Sequence, residues 1–302
     1  MVVYDNLSAG HRAAAGAAEL VVGDIGDVAG VRSAIRRCGA TAVMHFAAFL
    51  SVGESVRDPL GYYRNNVAGA LAVLEAMALE SVTRFVFSST AAVYGEPEET
   101  PISEAHPLRP INPYGETKLA IERALPHVER AHGIRSVALR YFNAAGADPA
   151  GALGEEHVPE LHVIPLAIEA ARGGPPLQVF GDDYPTPDGT CLRDYVHVTD
   201  LADAHLLALD HLERGGESRT YNLGNGRPYS VRDVVAEVGR AAGRPVPCRA
   251  APRRAGDPAV LFASSGRIQE ELGWRPRYAD LPVIVDTAWR WRLTHPQGYR
   301  TS

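Results

Sequence analysis

The first half of the chain alternates short apolar runs with stretches whose apolar residues recur at helical spacing. Strands of a buried parallel sheet are continuous apolar runs, and the helices that cover such a sheet carry one apolar stripe, so this alternation predicts βα units. The predicted strands are Val2–Tyr4, Glu19–Ile25, Thr41–Phe46, Arg84–Ser89 and Ser136–Arg140. The helices predicted among them are Val28–Cys38, Tyr62–Ala78 and Pro113–Ala131, the last with Asn112 as its N-cap.

The second half is less regular, with short helical patterns near residues 163–172, 199–212, 230–241 and 264–272 joined by Pro- and Gly-rich connections. The whole pattern predicts an α/β fold: a doubly wound parallel sheet over residues 1–145 and a smaller mixed α/β domain over 146–302, some elements of which return to the first domain. Ligands of doubly wound sheets bind beyond the carboxyl ends of the strands.

Composition removes several classes of function. The net charge of −6 argues against a nucleic-acid binder, which needs a basic surface. The three cysteines, Cys38, Cys191 and Cys248, are far apart and form no CxxC pair, which predicts neither disulfides nor a zinc site, and we expect no metal. No apolar run approaches the ~18 residues of a membrane span, and the N-terminus does not resemble a signal peptide. We therefore expect a cytoplasmic protein without a membrane partner.

One pair of residues is a candidate for catalysis. Lys118 is the only Lys among the 30 Lys and Arg residues, and it follows Tyr114 by four positions near the start of a predicted helix. Side chains at i and i+4 share one helix face. A phenol is a poor base at neutral pH, and an adjacent ammonium stabilises the phenolate. The pair is a candidate general acid/base, and the alternative interpretation is an ordinary exposed helix pair.

Thr90 follows the strand Arg84–Ser89 and can hydrogen-bond the same substrate oxygen as Tyr114. Together with Tyr114 and Lys118 it resembles the Ser/Thr-Tyr-Lys triad of the extended short-chain dehydrogenase/reductase family. Within that family the chain resembles the UDP-glucose/UDP-galactose 4-epimerases along its whole length. The motifs that carry this resemblance include Tyr4–Leu7, Gly23–Ile25, His45–Ala48, Val52–Ser55, Tyr63–Val67, Val93–Gly95, Arg140–Asn143, Gly181–Thr186, Arg193–Val198, Ala251–Asp257 and His295–Tyr299.

The resemblance implies a Rossmann-like sheet with bound NAD, a UDP-hexose substrate and a homodimer. Tyr114 would remove the O4 proton while the sugar C4 is oxidised, Lys118 would tune Tyr114 and bind the nicotinamide ribose, and Thr90 would orient O4. The 4-keto sugar would then turn and be reduced on its other face. Asp5 would accept both adenosine ribose hydroxyls, and its charge favours NAD over NADP.

The resemblance also assigns two sets of binding residues. The cofactor-binding residues would be Asp5, Asn6, Leu7, Ser8, Ala9, Gly10, Asp24, Ile25, Phe46, Ala47, Ala48, Phe49, Leu50, Asn66, Thr90, Tyr114, Lys118, Tyr141 and Phe142. The substrate-binding residues would be Asn143, Phe180, Arg193, Arg254, Asp257 and Leu261. Guanidinium groups suit diphosphate oxygens, although most arginines of this chain must be plain surface charge. Leu261 stands where a Tyr would crowd an N-acetyl group, so UDP-N-acetylhexosamines are expected as further substrates.

The sequence leaves two alternative functions to consider, a non-catalytic binding protein and a dehydratase. The family begins with a strand, a GxxGxxG turn and a helix, none of which this chain contains, and we expect a misplaced start codon rather than a deletion. Without the glycine turn the chain could instead be an inactive nucleotide-sugar binding protein. A nucleotide-sugar 4,6-dehydratase is less favoured, because those enzymes carry Asp-Glu directly after the Thr, where this chain has Ala91 and Ala92.

Overall fold

The computed structural model describes residues 1–254 and 257–299, which form two compact units. Among the described residues, unit 1 comprises residues 1–95, 107–140 and 205–221, and unit 2 comprises residues 96–106, 141–204, 222–254 and 257–299. The chain passes from unit 1 to unit 2 after Arg140, and residues 205–221 belong to unit 1 again. The domain boundary at residue 145 stays a prediction. The assignment of residues 96–106 to unit 2 has no counterpart in the sequence pattern.

The described residues contain twelve strands: β1 (Val2–Asp5), β2 (Glu19–Val22), β3 (Val43–His45), β4 (Arg84–Thr90), β5 (Arg135–Tyr141), β6 (Asn143–Ala145), β7 (Leu177–Phe180), β8 (Leu192–His197), β9 (Arg219–Leu223), β10 (Pro228–Ser230), β11 (Cys248–Ala251) and β12 (Val260–Leu261). Their α-helices are α1 (Val28–Cys38), α2 (Val52–Arg57), α3 (Pro59–Tyr62), α4 (Gly69–Leu79), α5 (Pro113–His132), α6 (Val163–Ala171), α7 (Val198–Glu213), α8 (Val231–Ala242), α9 (Gly266–Glu271) and α10 (Leu281–Thr294). A π-helix, Tyr63–Ala68, joins α3 to α4.

Unit 1 is built on parallel strands. β1 and β2 form one parallel pair, and β3, β4, β5 and β9 lie in that order in a four-stranded sheet in which β3 runs parallel to β4. Within the described residues β1 has no ladder partner other than β2, and β3 has none other than β4. Each of these two strands therefore keeps one free edge.

The strands and helices of unit 1 pack around one apolar core. Strand residues such as Phe85 and Phe87 are fully buried between helices, and α4 contributes Val73, Leu74 and Met77 to the same cluster. Burying apolar surface is the dominant favourable term in folding, so α4 is apolar on nearly every side. This packing holds β4 in place up to its carboxyl end, where Thr90 lies.

Unit 2 has its own mixed sheet and core. β8 pairs antiparallel with β10 and parallel with β6 and β12, and β7 pairs parallel with β11. Helices α6, α8 and α10 pack their apolar residues into one buried cluster. The fold is thus α/β with a parallel sheet of Rossmann type and a smaller mixed sheet, as predicted.

The structure departs from the predicted elements in three ways. The helix predicted over Tyr62–Ala78 is interrupted by the π-helix, because a wider turn replaces the regular α-helical one there. Helix α10 was not predicted, although Leu281, Ile284, Val285 and Trp291 are buried at helical spacing. The strands of unit 2 were also missed, because most contain only two to four residues and show no clear alternation.

Two expectations concern the chain as a whole. Cys38, Cys191 and Cys248 are free thiols, as their spacing predicted. In the part of the chain that the structure describes, every helix is too short or too polar to cross a bilayer.

Candidate active site

The start of α5 positions Tyr114 and Lys118. Asn112 caps the helix, its side chain accepting a hydrogen bond of 2.9 Å from the backbone N–H of Gly115, and Pro113 occupies the first turn, as predicted. A Cβ atom at Gly115 would lie 2.5 Å from the carbonyl oxygen of Ala92. Only a glycine therefore lets α5 approach the turn that follows β4 so closely.

Lys118 is nearly inaccessible, with 2% of its surface exposed. Its Nζ donates a hydrogen bond of 2.8 Å to the carbonyl oxygen of Ser88 and lies 5.1 Å from the centroid of the Phe87 ring. Burial lowers the pKa of Lys118 to about 7, although the carboxylate of Glu122 opposes the shift. The only lysine of the chain is thus an amine that gains or loses its proton near neutrality.

Thr90 and Tyr114 lie close together where the start of α5 meets the end of β4. Thr90 is the last residue of β4, and its hydroxyl accepts a hydrogen bond of 3.2 Å from the N–H of Ala92. The pKa of Tyr114 is raised by burial, and a hydrogen bond with the Thr90 side chain opposes that shift. The expected lowering by Lys118 is therefore not seen: desolvation dominates the phenol, and the Lys118 ammonium is directed at a backbone carbonyl.

A surface cleft in unit 1 gathers most of the predicted cofactor residues. Its lining consists of Asp5, Asn6, Ser8, Ala9, Gly10, Ile25, Phe46, Ala47, Ala48, Phe49 and Asn65. Asn65 was not predicted individually, although it belongs to the Tyr63–Val67 motif. Most of this lining lies at the end of β1 or in the loops after β1 and β3, while Ile25 follows β2 and Asn65 lies on the π-helix. These positions agree with the rule that ligands lie at the carboxyl ends of strands.

The polar groups of the cleft fit the ribose of a dinucleotide. Asp5, at the end of β1, accepts a hydrogen bond of 2.6 Å from the N–H of Leu7, and its carboxylate retains acceptor sites for a ribose diol. A Cβ atom at Gly10 would lie 3.3 Å from an Asp5 oxygen, so a side chain there would crowd the carboxylate. Asn6 donates to Asp24 at 2.9 Å, which ties the two loops together.

Asn66, one of the predicted cofactor-binding residues, makes four hydrogen bonds within unit 1. It is fully buried on the π-helix, and its amide oxygen accepts hydrogen bonds from the N–H of Phe49 and from Asn65. Its amide nitrogen donates to the carbonyl of Phe49 at 3.0 Å and to the hydroxyl of Thr117 at 3.1 Å. Asn66 therefore fixes the loop after β3 to helix α5.

The remaining predicted cofactor residues are placed as follows. Leu7 has a positive φ of 58° in the loop after β1, and Leu50 is 40% exposed. Backbone hydrogen bonding from Gly26 lowers the pKa of Asp24. Tyr141 ends β5, and Phe142 is buried in unit 2.

Unit 2 brings four of the predicted substrate residues together. Asp257 pairs with Arg193 through one carboxylate oxygen and with Arg254 through the other, the latter at 3.2 Å. The guanidinium of Arg254 lies 4.7 Å from the centroid of the Phe180 ring. One carboxylate thus orients two guanidinium groups that keep further N–H donors for an anion. Ala255 and Gly256 of the same motif lie outside the described residues.

The other two substrate residues flank this group. Leu261 on β12 is paired in register with Arg193 on β8, and Asn143 donates a hydrogen bond of 2.7 Å to the carbonyl of Asp194. Asp194 itself was not predicted as a site residue. Its fully buried carboxylate accepts the N–H groups of Asn225, Gly226 and Ala263, and desolvation raises its pKa to about 6. It orders the strand that carries Arg193.

Comparisons with known proteins identify the family of this chain. Residues 1–224 match the model of the NAD dependent epimerase/dehydratase family, and the chain belongs to that family. It is 49% identical over 302 residues to a UDP-glucose 4-epimerase of Halalkalibacterium halodurans, covering 100% of this chain and 90% of the relative.

Two solved structures are similar throughout. The UDP-glucose 4-epimerase of Brucella ovis in complex with NAD has a TM-score of 0.93 and 50% identity, covering 96% of this chain and 89% of that one. The UDP-Glc/GlcNAc 4-epimerase of Campylobacter jejuni has a TM-score of 0.82 and 40% identity, covering 97% of this chain and 91% of that one.

Proposed function

We propose that this protein interconverts UDP-glucose and UDP-galactose by inverting C4 of the hexose, with NAD as its bound cofactor. The observation that carries the proposal is the arrangement of Thr90, Tyr114 and Lys118 at the end of β4 and the start of α5. Similarity to UDP-glucose 4-epimerases over the whole chain supports the choice of substrate.

The chain's own residues divide the reaction among them. Tyr114 accepts the proton of the sugar O4 and returns it after the sugar has turned, and the Thr90 hydroxyl orients O4. Bound NAD supplies the acceptance and return of a hydride at C4. The positive charge of bound NAD⁺ would favour the Tyr114 phenolate and would offset the effect of burial on the pKa of Tyr114. Asp5, Asn6 and the loop after β3 hold the cofactor.

Substrate binding falls to unit 2. Arg193 and Arg254 bind the diphosphate through charged N–H donors, and Phe180 stacks against Arg254 to limit its rotamers. Asp257 holds both guanidinium groups in place. Asn143 and Leu261 border the sugar. This division leaves the hexose free to turn while the diphosphate stays bound.

The direct test is an epimerase assay with UDP-galactose, monitored by formation of UDP-glucose, on protein supplied with NAD. The two alternatives give different results. A 4,6-dehydratase would release a 4-keto-6-deoxy sugar, but Ala91 and Ala92 are apolar residues of a short helical turn and cannot transfer a proton. An inactive binding protein would bind UDP-sugar and NAD without forming any product.

We propose that the protein also accepts UDP-N-acetylhexosamines as substrates. This proposal rests on Leu261, whose side chain is smaller than Tyr and which is paired with Arg193 in the sheet of unit 2. We expect Leu261→Tyr to lose activity toward UDP-N-acetylglucosamine and to keep activity toward UDP-glucose, with Leu261→Met as the volume-matched control. If the Phe262 side chain fills the space that Leu261 leaves in comparison with Tyr, the parent protein will not accept the N-acetyl substrate.

A strand and a glycine turn are expected ahead of Met1. In a doubly wound order that strand pairs with β1 on one side and with β3 on the other, and both strands have a free edge. The coding DNA upstream of codon 1 should encode GxxGxxG within about 25–30 codons. A stop codon before any glycine motif would contradict the prediction.

The proposed assembly is a homodimer, as the resemblance implies. Sedimentation velocity on the purified protein measures its mass in solution. A single species with the mass of one chain, unchanged as the protein concentration is raised, would contradict the proposal.

A further inference from the structure

A segment of unit 2 just before α6 carries four side chains that are suited to hold a metal ion. Glu155, His157, Glu160 and His162 each offer one ligand atom, and these atoms all lie within 4.8 Å of one another. The four residues fall within eight positions of the chain, in the order Glu-x-His-x-x-Glu-x-His. None of the four is among the residues assigned above to the cofactor or the substrate.

The distances in this cluster are those of ligands around a shared centre. His157 Nδ1 lies 3.3 Å from Glu155 Oε1 and 3.5 Å from Glu160 Oε2, and His162 Nδ1 lies 3.8 Å from Glu160 Oε1 and also contacts Glu155 Oε1. Ligands at ~2.0–2.1 Å from a tetrahedral Zn²⁺ are separated by about 3.3–3.4 Å. Small side-chain movements would therefore bring all four atoms to bonding distance.

Two further observations show that the cluster is ordered for a ligand. His157 Nδ1 is buried and makes no hydrogen bond of normal geometry, although it lies between two carboxylates. Glu160 Oε1 accepts the backbone N–H groups of Leu161 at 2.7 Å and His162 at 2.9 Å, which fixes the carboxylate toward the histidines. The nitrogen is ion-paired with both carboxylates, and an imidazole nitrogen held between two carboxylates is an arrangement in which one shared cation is stabilised.

The surroundings hold the segment in place. Glu156 accepts the N–H of Tyr299 at 2.6 Å, and the Tyr299 hydroxyl bonds Gly154 at 3.0 Å. His162 directly precedes α6, whose residues Ile164 and Ile168 belong to the core of unit 2. A metal at the cluster would connect the loop to this helix.

The expectation of no metal rested on the cysteines alone, and the Glu and His cluster gives a different result. We propose that Glu155, His157, Glu160 and His162 form a binding site for a divalent transition-metal ion of the zinc class. Two imidazoles with two carboxylates favour Zn²⁺ over Mg²⁺ or Ca²⁺, which prefer all-oxygen sites. The two carboxylates also balance the charge of a divalent ion. The site is structural, because four protein ligands complete a tetrahedral coordination sphere and leave no open position.

The test is calorimetric titration of Zn²⁺ into the chelator-treated full chain, with Co²⁺ absorption as a report on tetrahedral geometry. We expect one equivalent to bind and the melting temperature to rise on binding. His157→Gln and His162→Gln should each weaken Zn²⁺ binding by at least about tenfold, and the double variant should abolish it. His132→Gln, an exposed histidine at the end of α5, is the matched control and should bind as the parent does.

Each result has a defined meaning. Absence of Zn²⁺ binding by the parent, or binding that survives in the double variant, overturns the proposal. Circular dichroism of every variant in the presence of chelator separates loss of a ligand from loss of the fold, and Glu155→Gln replaces any histidine variant that does not fold. Neither measurement requires activity, so failure of the metal site is distinguishable from failure of the proposed epimerase function.

Discussion

The polar cluster around Lys118 and the polar cluster around Asp257 are held by opposite means. In unit 1 Lys118 is almost fully buried and is oriented by a backbone carbonyl, so burial lowers its pKa to about 7. In unit 2 Arg254 is 58% exposed, and Arg193 and Arg254 are oriented by the carboxylate of Asp257. A guanidinium stays charged under all ordinary conditions, whereas an amine in a dry site does not.

The difference matches the two tasks proposed for the clusters. A group that takes part in proton transfer must have a proton affinity that its surroundings can adjust, and burial provides that adjustment. A group that binds a diphosphate needs a permanent charge and fixed donors, which paired arginines provide. Changes in the first cluster should therefore affect turnover, and changes in the second should affect substrate binding.

The largest effect should come from Tyr114→Phe, because it removes the proposed proton acceptor. We expect kcat to fall by about 10²–10⁴-fold, the range for loss of general acid–base catalysis, while NAD and UDP binding persist. Steady-state assays and ligand titrations measure the two properties separately. Tyr63→Phe, at an exposed position of the π-helix, is the control and should retain normal turnover. Near-normal turnover in Tyr114→Phe would exclude this residue as the acid/base.

Gly115→Ala tests whether the approach of α5 to Ala92 sets the catalytic geometry. The added Cβ would lie 2.5 Å from the Ala92 carbonyl oxygen, so the start of α5 must shift and carry Tyr114 with it. A shift of ~1 Å can cost about a hundredfold in rate, and we expect a loss of kcat of that order. Gly53→Ala, where a Cβ meets nothing within 4 Å, is the matched substitution. Equal activities of the two variants would show that the close approach is unimportant.

Lys118→Met tests the burial of the amine through stability. The folded pKa of about 7 lies below the unfolded value of 10.5, so the folded protein binds fewer protons in this window and its stability rises with pH. Between pH 7 and 9 the contribution of Lys118 to the free energy of unfolding should increase by about 2 kcal/mol. Denaturant unfolding of parent and variant at both pH values measures it. The variant should lack this increase; identical pH dependence would mean that Lys118 titrates normally.

Asp257→Asn should produce the smallest of these effects and the opposite kinetic pattern. Loss of the carboxylate frees Arg193 and Arg254, and we expect KM for UDP-glucose to rise about tenfold, or ~1.4 kcal/mol, with kcat little changed. Asp183→Asn, which loosens the exposed Arg253, is the control and should change KM little. A fall in kcat with KM unchanged would place Asp257 in the chemical step rather than in binding.

The sequence alone determined the features that depend on neighbours along the chain. The cap at Asn112, the helix from Pro113 and the one-turn spacing of Tyr114 and Lys118 follow from local backbone geometry, and the structure contains all three. The apolar runs likewise predicted β1 to β5 but not β9, because a buried strand must be apolar on both faces and β9 gives no such continuous run. Resemblance to known motifs supplied the residue roles, which local pattern alone does not reveal.

Only the tertiary structure decided which distant residues meet and how their environment changes them. Phe180 meets Arg254, and Arg193 meets Asp257, because separate strands and loops of unit 2 fold around one core. No sequence period encodes such contacts. The raised pKa of Tyr114, the buried amide of Asn66 and the cluster formed by Glu155, His157, Glu160 and His162 likewise depend on desolvation and loop closure. Desolvation is set by the packed surroundings of a group, so it cannot be inferred from the residue and its sequence neighbours alone.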